Sequence, residues 1–223
     1  MDADAEAARE RLLVIGEIAA EVAHELRNVL QVITANAYLA RQDPGASGPA
    51  LLKIERNARL AHAIVDDLMS LARGEAARAE PTLLAEIVVA ARAELAPGVA
   101  TWHDAMIPVD VRVRAHPGLA TRLLHALYEN AISASAPRAP TIVTRARVEG
   151  PVVLLEVADD GPGVPSAIAA TLFDPLVTGR SGGTGLGLAL ARRIAMAHGG
   201  SIALVDSGGA SGACFQVRIP SAG

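Results

Sequence analysis

Aromatic residues are scarce, at 2% of 223 residues. Any core must therefore be built from Ala, Val, Leu and Ile, and a hydrophobic content of 51% supplies enough of them. Cationic excess is also missing. The formal net charge is -4 and the pI about 5.9, so electrostatics gives no reason to expect nucleic acid as the main partner. The lone Cys214 excludes an internal disulfide and suits a reducing cytoplasm. No apolar run reaches the roughly 18 to 20 residues of a membrane span. The acidic N-terminus is unlike a secretory signal. The expectation is a soluble, cytoplasmic protein with no membrane insertion. No internal repeat and no sensory segment stand out in the 223 residues, so any input signal would come from a separate sensor protein or a further domain.

What is present falls into two patterns. Residues from about 5 to 41 carry Leu12, Ile15, Ala19, Val22, Leu26, Val29 and Ile33 at alternating spacings of 3 and 4. That spacing predicts a long helix with a heptad seam. Asp43-Pro44-Gly45-Ala46-Ser47-Gly48-Pro49 breaks it. A second helix follows, with Leu51, Ile54, Ala58, Ala61, Val65, Leu68 and Ala72 on similar spacing. Two long helices joined by a short loop predict an antiparallel hairpin over residues 1–75. One hairpin covers only one side of each seam, so a homodimeric four-helix bundle is expected. Residues 76–81 read as a linker ending at Pro81, and residues 82–223 as a mixed domain. Helices are predicted at Thr82–Leu95, Pro117–Ser135 and Leu186–His198, and strands at Val109–Val113, Thr141–Val148, Val152–Ala158, 201–205 and 213–219. Strands and helices that do not alternate strictly predict an α+β two-layer sandwich.

His24-Glu25-Leu26-Arg27-Asn28 lies on the first helix. At about 100° per residue, Ile15, Val22, Val29 and Ile33 fall opposite His24, while Glu17, Glu21, Arg27, Asn28 and Gln31 share its side. His24 is thus expected on the outer face, where a histidine is ordinarily just solvated. Its neighbours add chemistry. A nucleophilic imidazole needs one ring nitrogen free of hydrogen, and a carboxylate such as Glu25 bound to the other nitrogen fixes that tautomer. Asn28, one turn on, sits where its amide can orient water toward a group on His24.

Three further segments look like parts of one nucleotide site. Tyr128-Glu129-Asn130-Ala131 places a neutral oxygen ligand, Asn130, on a helix, suited to Mg²⁺ already held by phosphates. Alone, Asn130 reads as a structural hydrogen-bonder. Asp159-Asp160-Gly161-Pro162-Gly163 follows a strand, where a carboxylate can accept from an adenine amino group. Alone it reads as a β-turn. Gly182-Gly183-Thr184-Gly185-Leu186-Gly187-Leu188 runs into a helix whose first amides suit phosphate. No Gly-Lys-Ser/Thr follows, so it is not a lysine-bearing P-loop, and the spacing is wrong for a dinucleotide fold.

In this order, these residues resemble the sensor histidine kinases of two-component systems over nearly the whole chain. His24-Glu25-Leu26-Arg27-Asn28 resembles that family's H-box, Glu129-Asn130-Ala131 the N-box, and Asp159-Asp160-Gly161-Pro162-Gly163 the G1 box. Phe173-Asp174-Pro175 resembles the F-box, and Gly183-Thr184-Gly185-Leu186-Gly187-Leu188 the G2 box. The resemblance implies a dimerisation and phosphoacceptor hairpin followed by a Bergerat-type (GHKL) ATP-binding sandwich. It implies His24 as phosphoacceptor, Glu25 as general base, and Asn28 at the position tied to dephosphorylating a partner. It also implies ATP and Mg²⁺, with Asn130 as metal ligand, Glu129 beside it and Asp159 on adenine. Gly161, Gly163, Gly183, Thr184, Gly185, Leu186 and Gly187 would shape the pocket and its lid. The implied activity is an ATP-dependent protein-histidine kinase that passes its phosphoryl group to an Asp of a response regulator. The chain departs from the family at Val29, where Pro is common, at Ala126, where a second Asn is common, and at Ser133, where a basic residue is common. Those departures keep a non-catalytic phosphotransfer adaptor in view. The H-box hairpin argues against a chaperone or mismatch-repair ATPase of the same fold.

Overall fold

The computed structural model describes residues 26–43, 47–72, 79–104, 107–174, 177, 185, 187–206 and 211–222. The chain divides into two units, Met1–Glu75 and Ala76–Gly223.

In the first unit, helix α1 covers 26–42 and helix α2 covers Ser47–Ala72. The Ser47 hydroxyl, at the start of α2, donates to the Ala40 carbonyl at 3.0 Å and so secures the turn between them. Val29 and Asn36, seven residues apart on α1, are buried, as are Ala50 and Asn57 on α2. Leu26 and Ile33 are half-buried, in keeping with the α1 seam. On α2 the buried edge is shifted: Leu51 and Val65 are exposed, while Ala50 and Asn57 take the interior. Each buried asparagine spends its amide on its own helix, Asn36 on Val32 and Asn57 on Lys53, which satisfies a polar group that would otherwise be costly to bury. The seam positions Leu12, Ile15, Ala19 and Val22 lie outside the described residues.

The second unit is an α+β sandwich. Strand β1 (Glu80–Leu83) leads into helix α3 (Leu84–Ala93), then strands β2 (Thr101–Asp104) and β3 (Arg112–Ala115). Helix α4 (Pro117–Ser135) is followed by strands β4 (Thr141–Glu149) and β5 (Val152–Asp159) and the short helix α5 (Ser166–Ala169). Helix α6 (Gly187–Ala197) and strands β6 (Ser201–Val205) and β7 (Cys214–Pro220) complete it. The main sheet has the order β2-β4-β5-β7-β6, parallel only between β2 and β4, and β5 is its centre. β1 and β3 form a separate antiparallel pair.

Period-two alternation decides which face is buried. Ile142, Ala146, Val153, Leu155, Val157, Phe215, Val217 and Ile219 point into the core, where they meet Leu84 and Ile87 of α3, Leu123, Leu124 and Leu127 of α4, and Ile194 of α6. Apart from Ala146, each such side chain contributes roughly 1.5–3 kcal/mol through burial. The opposite face carries Arg145, Arg147, Glu156, Gln216 and Arg218 in register, with Arg147 and Gln216 both donating to Glu156 at 3.0 Å.

α4 starts and ends where the sequence predicts. Pro117 occupies its first turn, and the His116 side chain caps it by accepting from Leu119 N–H. Thr82 does not begin a helix, however. It lies in β1, its hydroxyl turned to the Ala115 carbonyl at 3.2 Å, and the helix starts two residues later. The third strand spans Arg112–Ala115 rather than Val109–Val113, because Val109 and Asp110 form a turn.

Two features join α6 to this frame. His198 is 8% exposed. Its Nε2 accepts from the His116 backbone N–H at 2.9 Å, so its Nδ1 carries the hydrogen and donates to the Ile194 carbonyl at 2.8 Å. Burial pushes the His198 pKa below its ordinary 6.5, and the nearby His116 adds to that, against the bond to Ile194. Gly200 follows, and a Cβ there would fall 2.0 Å from the Arg218 carbonyl oxygen of β7.

Because the folded state resists protonating His198, the unfolded chain binds that proton first as pH drops below 6.5. Stability of this unit, followed by urea unfolding with Trp102 fluorescence, should hold above that pH and decline below it, more shallowly in His198→Ala. Gly200→Ala should cost about 2 kcal/mol or more, since backbone must move. Gly118→Ala, whose Cβ meets only ordinary contacts at 3.5 Å or beyond, should stay within about 0.5 kcal/mol in the same assay.

Candidate nucleotide site

Asp159 ends the central strand β5 and is 8% exposed. Its Oδ1 accepts from two backbone N–H groups, Gly161 at 2.8 Å and Ala213 at 3.2 Å. Its own N–H donates to the Ala213 carbonyl at 2.9 Å. One carboxylate thus gathers the loop that leaves β5 and the segment that enters β7. The approach is close enough to require glycine. At Gly212, where φ is +110°, a Cβ would lie 1.8 Å from the Asp159 carbonyl oxygen. At Gly163, with φ of +77°, it would press on Gly212 at 3.3 Å.

Asp160, next in sequence, turns elsewhere. Its Oδ1 accepts from Thr141 N–H at 2.9 Å, and Arg138 grips the carboxylate with both terminal nitrogens, at 3.0 and 2.9 Å. That fork, helped by Thr141, holds the Asp160 carboxyl down at about 2. Asp160 therefore ties the end of α4 to the end of β5, and Asp159 is the acid at the loops.

Gly161 marks a tight spot. A Cβ there would lie 2.7 Å from Asp159 Oδ1 and 2.8 Å from Ser135 Oγ. That hydroxyl is shut off from solvent and has no hydrogen-bond partner among the described residues. Gly161 thus packs its backbone directly against the strand-end carboxylate and the last residue of α4.

α4 carries Glu129, exposed, and Asn130, half-buried. Just before them, Tyr128 is fully buried and anchors the helix. Its hydroxyl lies 3.1 Å from Thr144 Oγ1, and its ring packs edge-on against Trp102 at 4.9 Å. The Arg92 guanidinium sits 4.8 Å over Trp102 and 5.6 Å from Tyr128, while forking onto Asp104. Burial lowers the Arg92 pKa, but the bond to Asp104 and the attraction of its neighbours outweigh that and leave it raised. Burial likewise raises Tyr128, against its hydrogen bond to Thr144. Among the described residues no three His, Cys, Asp or Glu side chains come together to hold a metal. The Asn130 amide oxygen is a hard, neutral donor of the kind a phosphate-bound cation could take.

The loop before α6 is only partly described. Gly185 has φ of +69°, and Gly187 opens α6, where a Cβ would touch Ala126 of α4 at 3.8 Å. Ala126 is thus a packing position against the start of α6. Phe173 packs edge-on to Phe215 at 6.2 Å, and Asp174 pairs with Arg192 of α6 at 3.7 Å, so the segment before the loop is fixed at both residues. Gly183, Thr184 and Leu186 lie outside the described residues, as do His24 and Glu25. Asn28 is half-buried on α1. Gly212, Ala213, Ser135 and Arg138 were not singled out from the sequence. A glycine just ahead of the final alternating strand was the available signal for the first two.

Residues 115–223 match the family described as "Histidine kinase-, DNA gyrase B-, and HSP90-like ATPase". The sensor histidine kinase ZraS of Klebsiella oxytoca is 30% identical over 97% of this chain and 48% of that protein. The C4-dicarboxylate transport sensor protein DctB of Rhizobium meliloti is 34% identical over 95% of this chain and 35% of that protein. The chain spans about half, or less, of the length of these curated relatives. Among solved structures, histidine kinase ThkA in complex with response regulator protein TrrA aligns with a TM-score of 0.68 at 24% identity, over 95% of this chain and 63% of that one. The match of residues 115–223 to the ATPase family, joined to relatives that align with nearly the whole chain, establishes that the chain belongs to the sensor histidine kinases, with a GHKL-type ATP-binding domain.

Proposed function

We propose that this chain transfers the γ-phosphoryl group of ATP to His24 and then hands it to an aspartate of a response regulator. The observation that carries the ATP half is the Asp159 junction, an acceptor-only carboxylate at the end of the central strand with both glycine-bearing segments hydrogen-bonded to it. ATP supplies the phosphoryl group, and Mg²⁺ neutralises its charge. Asp159 accepts from the adenine amino group. Asn130 offers its amide oxygen to the cation, and Tyr128, locked beneath it, holds that stretch of helix in place. The first amides of α6 and the glycines ahead of it face the phosphates. Glu25 hydrogen-bonds one ring nitrogen of His24, leaving the other to attack. The new N–P bond forms as the P–O bond to the leaving ADP breaks. Catalysis rests on positioning and charge compensation.

The helical unit supports the other half of the reading. Leu30, Leu51 and Leu52 are at least 50% exposed in the single chain, while the buried residues of α1 repeat at seven. A second copy would cover such surface as a four-helix bundle. The solved complex of ThkA with response regulator protein TrrA supports a response regulator as the acceptor. Asn28, four residues after His24 in sequence, would orient the water that hydrolyses the regulator's phosphoryl group in a phosphatase step. Among the described residues no helix is long and apolar enough to cross a membrane.

Incubation with γ-labelled ATP and Mg²⁺ should put acid-labile label on the wild type. His24→Ala should abolish it, and Asn130→Ala should reduce it by roughly 100-fold or more. Unlabelled wild type that still accepts phosphate at His24 from a phosphorylated regulator would replace the kinase with an adaptor.

A further inference from the structure

We infer that Arg138 is a positioning residue for the base site: it sets the peptide unit that braces Asp159, and so governs how sharply the site selects a purine with an amino group at C6. The inference rests on the ATP-binding reading and adds a residue that acts on the site without touching the ligand. Arg138 lies just past the end of α4, where its backbone N–H donates to the Ser135 carbonyl at 2.9 Å. Its side chain is half exposed, yet it makes three bonds to one residue. Both terminal nitrogens fork onto the Asp160 carboxylate, at 3.0 and 2.9 Å. One of them also donates to the Asp160 backbone carbonyl at 2.7 Å. Bonds from a guanidinium are stronger than neutral ones, and the fork adds a fixed geometry.

The bond to the carbonyl is the one that reaches the site. The Asp160 C=O and the Gly161 N–H belong to a single planar peptide unit and point to opposite sides of it. Arg138 holds the oxygen end. Asp159 Oδ1 takes the hydrogen end, at 2.8 Å. Turning that plane would break both bonds together. The Asp160 backbone is anchored ahead of the plane, since its N–H donates to the Thr141 carbonyl at 3.3 Å and its Oδ1 accepts from Thr141 N–H at 2.9 Å. The direction of the carbonyl itself is set by the bond to Arg138. Without Arg138 the plane is freer to turn, and the Asp159 carboxylate loses a bond that orients it. Hydrogen bonds weaken steeply with misalignment. The loss therefore falls on the bond from Asp159 to the C6 amino group.

The test uses the full chain and two ligands, ADP and purine riboside 5′-diphosphate, which carries hydrogen in place of the C6 amino group. Affinities come from calorimetry. Wild type should prefer ADP by roughly tenfold or more, the range for a hydrogen bond to a charged group. Arg138→Ala should cut that preference by roughly threefold or more, weakening ADP while leaving the analogue within about twofold. Arg138→Lys keeps the charge but offers no fork, so its preference should fall between the two. It carries the test alone if Arg138→Ala does not melt cooperatively. A clamp that only held the fold would weaken both ligands alike. Equal losses for ADP and the analogue, or a preference that the substitutions leave unchanged, would overturn this inference alone. A wild type that binds both ligands equally overturns it together with the role of Asp159, and one that binds neither overturns the ATP reading as well.

Discussion

A single carboxylate oxygen holds two backbone segments together. Asp159 Oδ1 receives the N–H groups of Gly161 and Ala213, which lie 52 residues apart from each other in sequence and meet only because β5 and β7 are neighbours. Bonds to an ionised acceptor are roughly twice as strong as neutral ones. They fix the loop that leaves β5 and the segment that enters β7. The cost is steric, since Gly212 and Gly161 leave no room for a side chain. This site is therefore stiff where a purine would rest. The exposed Glu129 and the glycines ahead of α6 lie on other elements, where the remaining nucleotide groups would be met.

Helix α4 is the spine that connects this junction to the rest of the domain. At its start, the His116 ring accepts from Leu119 N–H and the His116 backbone N–H donates to His198, so α6 is tied in. At its end, Arg138 clamps Asp160 and Ser135 reaches the Gly161 spot. Between them, Tyr128 is held by Thr144, Trp102 and Arg92. A chain with so few aromatics spends its one tryptophan beside the helix that carries Asn130. Packing of that kind turns fold stability into placement of functional groups, because rotating α4 would cost the whole cluster.

Much of this could be read in the residues themselves. α4 was legible because Pro117 at its first turn and a run of apolar positions leave no alternative, β4 and β7 because apolar and polar residues alternate along them, and β5 because it is a short apolar run. β2 was not, since Thr101-Trp102-His103-Asp104 is a short edge strand whose side chains stay largely exposed, so no period-two signal exists. β1 was hidden by Pro81, which ordinarily marks a break but is tolerated in a two-stranded edge pair. Adjacent acids at 159 and 160 look equivalent in sequence, and only the register of β4 against β5 hands one to Arg138 and the other to the loops. Ser135 escaped notice because a serine at a helix end reads as a polar terminus. Its close neighbour is Gly161, which topology brings to it. His24 and Glu25 rest on sequence motif alone, outside the described residues.

The central claim is that the Asp159 carboxylate is the base-recognition group of an ATP site. Calorimetric titration of ADP into the wild type and Asp159→Asn, with the melting temperature of each recorded, tests it most directly. The amide keeps an oxygen for Gly161 and Ala213, so the fold should survive with a modest fall in melting temperature, while ADP affinity should drop by roughly 100-fold or more as the charged acceptor is lost. Undiminished ADP binding by a folded Asp159→Asn would contradict the account.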